Sequence, residues 1–145
     1  PDSAALSPFP VLSNEFILKI PGETLFPGWH VTADIIGKES VVDDDNDFTA
    51  CMDLKKSGAE MLVRCRQPGD RFQPLGMGQP KKLGEFMIDT KIPGAWRQQV
   101  PIVCSPQHIL WVVGWRIDDR VQVTENTKQI LCLEFKRAPN ISREG

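Results

Sequence analysis

The side chains best placed to do chemistry in this sequence are cations. Between Arg64 and Arg97 it reads RCRQPGDRFQPLGMGQPKKLGEFMIDTKIPGAWR, where Arg64, Arg66, Arg71, Lys81, Lys82, Lys91 and Arg97 stand against only Asp70, Glu85 and Asp89. The chain as a whole carries a formal charge of −2. A basic island in a slightly acidic protein is an electrostatic footprint for a polyanion. Arg64, Arg66 and Arg71 offer planar forks for phosphate oxygens, and Lys81 and Lys82 offer mobile point charges. This is binding chemistry; it breaks no bond.

Arrangements that do break bonds are harder to find. His30 sits in WHVTADII and reads as a strand face; His108 follows Pro106-Gln107 and reads as the edge of a turn. Asp118-Asp119 is a carboxylate pair in the context of a hairpin turn, where paired surface charges are the simplest reading. Gly76-Met77-Gly78 precedes Lys81-Lys82, but the phosphate-loop spacing GxxxxGK[ST] is absent. The acid run Asp43-Asp44-Asp45-Asn46-Asp47 lacks the turn glycine and terminal glutamate of a calcium loop and reads as a solvated loop. Cys51, Cys65, Cys104 and Cys132 form no CxxC or CxxH pair, so free buried thiols are expected rather than a zinc site. Neither a catalytic residue nor a resident metal or cofactor is expected in this chain.

Elements must hold the cations in place, and several are legible. Trp29, Val31, Ala33 and Ile35 alternate with His30, Thr32 and Asp34, the two-residue period of a strand. Strands are also expected over Glu15–Ile20, Phe48–Leu54, Glu60–Arg66, Val100–Cys104, Ile109–Val113, Arg120–Thr124 and Ile130–Phe135. In the Glu60–Arg66 strand, Arg64 and Arg66 share one side and project together. A turn is expected at Lys55-Lys56-Ser57-Gly58. Leu83, Phe86, Met87 and Thr90 repeat at i, i+3, i+4 and i+7, which predicts a short amphipathic helix with Pro80 at its first position. Lys81 and Lys82 then fall in its first turn, where the helix dipole disfavours cations and a phosphate would relieve them. The alternative is a plain solvated face, with Glu85 offsetting Lys81. A further helical turn is expected over Ala95–Gln99. Phe72, Leu75, Leu83 and Phe86 are expected to pack, Trp111 and Trp115 to belong to the core, and Asp70 to bond turn amides or clamp an arginine. The class is α+β, strand-rich with one or two short helices.

At 145 residues, 41% hydrophobic and 25% charged, the composition is that of one ordinary globular domain. No run reaches the roughly 18 apolar residues of a membrane span. No secretory pattern is present, so the cytoplasm is the expected compartment and no membrane is expected as a partner. A first residue of Pro1 points to a piece of a longer protein. Residues 1–14 read as a loose lead-in, 15–136 as the domain and 137–145 as a flexible tail.

VRCRQPGDRFQPLGM, then KKLGEFMIDTKIP, Arg97 with VPIV, and ILWVVGWRIDDRVQVTENTKQIL follow in order over roughly Met61 to Leu133. This series resembles the C-terminal domain of tRNA(Ile)-lysidine synthetase, and PGETLFPGWHVTADI is similar to the family's lead-in strands. One departure is Gly94, where the family often has a basic residue after Ile-Pro; Arg97 is the charge retained. The resemblance implies a three-layered α+β fold with a β-sandwich of unusual topology, related to one in phenylalanyl-tRNA synthetase. It implies a parent ligase that uses ATP to join lysine to the wobble cytidine of an isoleucine tRNA. That chemistry belongs to an N-terminal catalytic domain with a Ser-Gly-Gly-x-Asp-Ser loop, absent here, where ATP and magnesium are expected. This chain is then the non-catalytic part that recognises the tRNA around its acceptor stem. Its implied partners are isoleucine tRNA and the enzyme's own N-terminal domain. The alternative is a protein docking module that uses the same basic island, with Asp43–Asp47 as the matching surface of a homodimer.

Overall fold

A computed structural model describes residues 15–37 and 48–137. The expected lead-in, the acid run at 43–47 and the tail after Arg137 lie outside these residues. In chain order the strands are β1 (Phe16–Ile17), β2 (Gly22–Phe26), β3 (Trp29–Gly37), β4 (Thr49–Asp53), β5 (Leu62–Arg64), β6 (Arg71–Phe72), β7 (Lys81–Lys82), β8 (Ile102–Cys104), β9 (Ile109–Val112) and β10 (Gln129–Arg137). The helices are α1 (Leu54–Ser57) and α2 (Leu83–Asp89), with single 3-10 turns at Gly94–Trp96 and Asp119–Val121.

Two four-stranded antiparallel sheets, ordered β1-β5-β8-β9 and β2-β3-β10-β4, share one core. Phe135 of β10 meets Trp29 and Trp111 edge-on at 5.5 and 5.4 Å between ring centroids, and Phe16 stacks on Phe26 at 4.6 Å. The Phe135–Trp111 and Phe16–Phe26 contacts bridge the sheets. Every residue of β8 and β9 is buried, the mark of strands covered on both faces. Their second cover comes from the β6–β7 ribbon and α2: β6 packs on β9, and Phe72 of β6 meets Phe86 of α2 edge-on at 5.1 Å. The order of layers is thus sheet, sheet, ribbon with helix, in an α+β domain dominated by strands.

The alternation of β3 holds: Trp29, Val31 and Ala33 are buried and Asp34 is exposed. Leu83, Phe86 and Met87 form the buried stripe of α2, and Phe72 and Trp111 are core residues. Other expectations need correction. Leu75 is exposed on a loop rather than packed. Residues 55–57 form a helix, not an open turn, because the Asp53 carboxylate caps it through the Lys55 and Lys56 amides at 2.9 and 3.3 Å. Arg120–Thr124 is no strand; its start is wound into the 3-10 turn that Asp118 caps. Cys51 and Cys132 are not free thiols. The β4–β10 register sets them directly opposite, with Cα atoms 4.1 Å apart, and they form a disulfide. Cys65 and Cys104 remain thiols.

Candidate nucleic-acid interface

The β6–β7 ribbon pairs Arg71 with Lys82 and Phe72 with Lys81. Because side chains alternate across a strand, Phe72 enters the core while Arg71 and Lys82 stand side by side on the solvent face. Neither makes a hydrogen bond or ion pair with a described residue. Like charges directly opposite one another weaken a ladder, so this pair is a local cost with no internal compensation. The lysines therefore do not occupy the first turn of the helix as their spacing predicts. Pairing with Arg71–Phe72 holds them extended, Lys82 is the residue before α2, and the Leu83 amide donates to the Asp70 carbonyl at 2.9 Å. Lys81 turns the other way and pairs with Asp89.

The remaining predicted cations divide by how far they are committed. Gly69 takes a φ of 86° that closes the Pro68-Gly69 turn and brings Asp70 back towards β5. Asp70 then accepts both terminal nitrogens of Arg64, at 2.9 and 3.0 Å, and the Gln67 amide at 2.7 Å. The carboxylate bonds hold the Arg64 guanidinium more firmly charged than usual, against the opposing effect of burial. Asp70 is the arginine clamp it was expected to be. Arg66 does not project with Arg64; it lies half-buried against α2, 3.7 Å from the Met87 sulfur. Arg97 is half-buried and donates to the Ile92 carbonyl at 2.9 Å. Lys91, at φ 62°, is exposed just beyond α2.

Asp118 and Asp119 are not a surface pair. Asp118 is fully buried and accepts from the Gln73 amide at 3.0 Å, the Arg120 amide at 2.9 Å, and Nε and Nη2 of Arg120 at 2.9 Å each. Burial pushes this carboxyl up, but the Arg120 and amide hydrogen bonds outweigh it and hold the group below the ordinary value. Asp119 accepts from the Gly76 amide at 2.9 Å, and its own amide donates to the Gln73 carbonyl at 2.6 Å. The two carboxylates staple the Gln73–Gly76 loop beside the ribbon.

Between the Gly69 turn and the β8–β9 turn lies a cleft of about 470 Å³. Its polar lining includes Arg64, Arg71, Arg120, Ser105 and His108. The β8–β9 turn is tied by Ser105, whose hydroxyl accepts from the Gln107 and His108 amides at 3.2 and 3.3 Å. His108 is held below the usual imidazole range by burial and then by the Arg120 charge, against the pull of Asp118. Its buried Nε2 has no partner among the described residues. The fold brings Arg64 and Arg71 to this cleft, sets Lys82 beside Arg71, and leaves Lys91 and Arg97 outside the lining. Arg120 and Ser105 were not singled out in the sequence, and His108 was expected only as the edge of a turn. The one available signal was Arg120 directly after two acids, inside the WRIDDRVQV segment.

Among the described residues no group of three or more His, Cys, Asp and Glu is placed to hold a metal ion, and no helix is long and apolar enough to cross a membrane. Residues 61–133, half the chain, match the family described as the TilS substrate C-terminal domain. The chain belongs to this family. A tRNA(Ile)-lysidine synthase of Dehalococcoides mccartyi is 42% identical over 132 residues, which cover 90% of this chain and 28% of that protein. The corresponding enzyme of Caldanaerobacter subterraneus subsp. tengcongensis is 40% identical over 123 residues, 83% of this chain and 26% of that protein. The chain thus spans little more than a quarter of the length of these TilS relatives. A crystal structure of a TilS C-terminal domain superposes with a TM-score of 0.68 at 25% identity, over 87% of this chain and 99% of that one. An N-terminal fragment of the phenylalanyl-tRNA synthetase β-subunit from Pyrococcus horikoshii shares the fold, with a TM-score of 0.53 at 16% identity over 60% of this chain and 27% of that one.

Proposed function

We propose that residues 15–136 are the tRNA-binding unit of a cytoplasmic tRNA(Ile)-lysidine synthase, seating isoleucine tRNA by its acceptor stem for lysine transfer in an N-terminal catalytic domain. ATP and magnesium act, on this reading, in that other domain. The observation that carries the proposal is Arg71 opposite Lys82, two exposed cations side by side with no acidic partner among the described residues. Their mutual repulsion turns into attraction once a phosphate lies between them. Double-stranded RNA offers shape, phosphates and 2′-hydroxyls rather than a readable major groove, so scattered cations on a shaped surface suit it. Arg71, Lys82 and Lys91 are the outermost contacts, with Arg66 at the α2 edge. Arg64, Lys81 and Arg97 are already engaged internally, and they add charge and fix backbone around those contacts.

Four phosphate contacts predict a log–log salt slope of roughly −3. The test is tRNA binding by Arg71→Ala/Lys82→Ala, two exposed changes that leave the core intact. The expected result is affinity lowered at least tenfold and a salt slope shallower by roughly 1.5. Unchanged tRNA affinity in a folded double variant would overturn the reading and favour a protein docking role for this face.

A further inference from the structure

The cleft beside the ribbon has a composition that a duplex-facing surface does not need. We infer that it takes one unpaired nucleotide of the RNA, with the phosphate on the arginine forks and the sugar and base against the β8–β9 turn. This rests on the tRNA-binding reading and adds a site to it.

Three guanidinium groups line one concavity, and their partners differ in an informative way. Arg120 gives Nε and one Nη2 hydrogen to Asp118, which leaves three N–H donors free. Arg64 spends three donors on Asp70 and the Cys65 carbonyl, which leaves two. Arg71 keeps all five. The Arg64 and Arg120 forks are thus fixed in place by the Asp70 and Asp118 carboxylates before any ligand arrives, and that of Arg71 is free to close on it. Fixed donors lose little freedom on binding, the general basis of a preorganised site.

Size and wall chemistry exclude a bare phosphate as the natural occupant. A cleft of about 470 Å³ is in the range that holds a small organic ligand. Pro80, Pro106 and Ile109 add apolar wall to the same lining. An anionic end and an apolar, planar end describe a phosphorylated nucleoside. A nucleotide inside a helical stem keeps its base stacked and cannot enter a concavity, whereas unpaired RNA bases are splayed out and read one at a time.

The probes are adenosine 5′-monophosphate, adenosine and inorganic phosphate, titrated to about 20 mM, a ceiling matched to millimolar affinities. Binding is followed by amide chemical shifts of the whole chain. The monophosphate is expected to move Gly69, Asp70, Ser105 and His108 saturably, at least tenfold more tightly than adenosine and more tightly than phosphate. Arg71→Gln, an exposed and fold-neutral change, is expected to weaken the monophosphate about tenfold. Equal response to adenosine and its monophosphate, shifts confined to another face, or no shift at all would overturn the inference. A chain that binds tRNA normally but ignores the monophosphate loses the nucleotide site and keeps its tRNA role. One that binds the monophosphate but no tRNA loses the tRNA reading instead.

Discussion

Asp118→Ala removes one acceptor from beneath four donors, and the structure allows its cost to be worked through. The Arg120 amide loses its cap, a loss of about 1 kcal/mol. The Gln73 amide, bonded at 3.0 Å to a charged and fully buried group, loses a further 1.5–3 kcal/mol, roughly. The Arg120 guanidinium is 41% exposed and rehydrates, so its share is held to about 1 kcal/mol or less. The total is about 4 kcal/mol. For a chain of this length that lowers Tm by roughly 12 °C. The assay is urea unfolding followed by tryptophan fluorescence, with the midpoint falling and the slope unchanged. Asp119→Ala is the control; it costs about 1 kcal/mol, because Asp119 is less buried and its partners reach water. A loss below about 1 kcal/mol for Asp118→Ala would refute the reasoning, since bonds of that geometry cannot be so cheaply removed.

Stability is expected to fall as pH falls, in two stages. His108 has a lowered pKa in the folded protein, so the unfolded chain takes up that proton first, from about pH 6.5 downward. Asp53 and Asp118 are also lowered, with hydrogen bonds outweighing burial in both, so the decline steepens below about pH 4. Unfolding free energies measured from pH 8 to 3 check this, and a rise in stability between pH 7 and 5 would contradict it. Thiol titration of the unreduced, unfolded chain should find only Cys65 and Cys104, and reduction should destabilise the fold by up to about 4.5 kcal/mol on the chain-entropy model, since the bridge spans 81 residues. Burial pushes the Cys104 thiol up to about 11, so it should resist alkylation in the folded protein at pH 7.5. Phe72→Ala should cost about 3–5 kcal/mol, because the ring is fully buried against Phe86 and ties the ribbon to α2.

What was legible in the sequence is what depends on neighbours in the chain. The two-residue period of β3 and the Leu83, Phe86, Met87 stripe of α2 are local patterns, and both reappear as buried faces. Asp70 could be read as a clamp because its arginine lies only six positions away. The features that misled are the ones decided by distant partners. Lys81 and Lys82 look helical until Arg71–Phe72 is folded against them. Asp118 looks like a hairpin acid until it is seen bonded to Gln73, 45 positions upstream. Cys51 and Cys132 carry no spacing signal, since only the β4–β10 register makes them neighbours. The cleft is assembled from the Gly69 turn, the β8–β9 turn and Arg120, three segments with nothing in the chain to link them. Strand order likewise entered only with the structure, because periodicity says which face is buried but not which strand lies beside it.

The most direct test of the central claim is a titration of this chain with unmodified isoleucine tRNA and with its isolated anticodon stem-loop, each at two salt concentrations. The predicted result is binding to the whole tRNA, absent from the stem-loop and weakening with a log–log slope of roughly −3. Equal affinity for the two RNAs, or no binding to either, would contradict an acceptor-side role for the Arg71–Lys82 face.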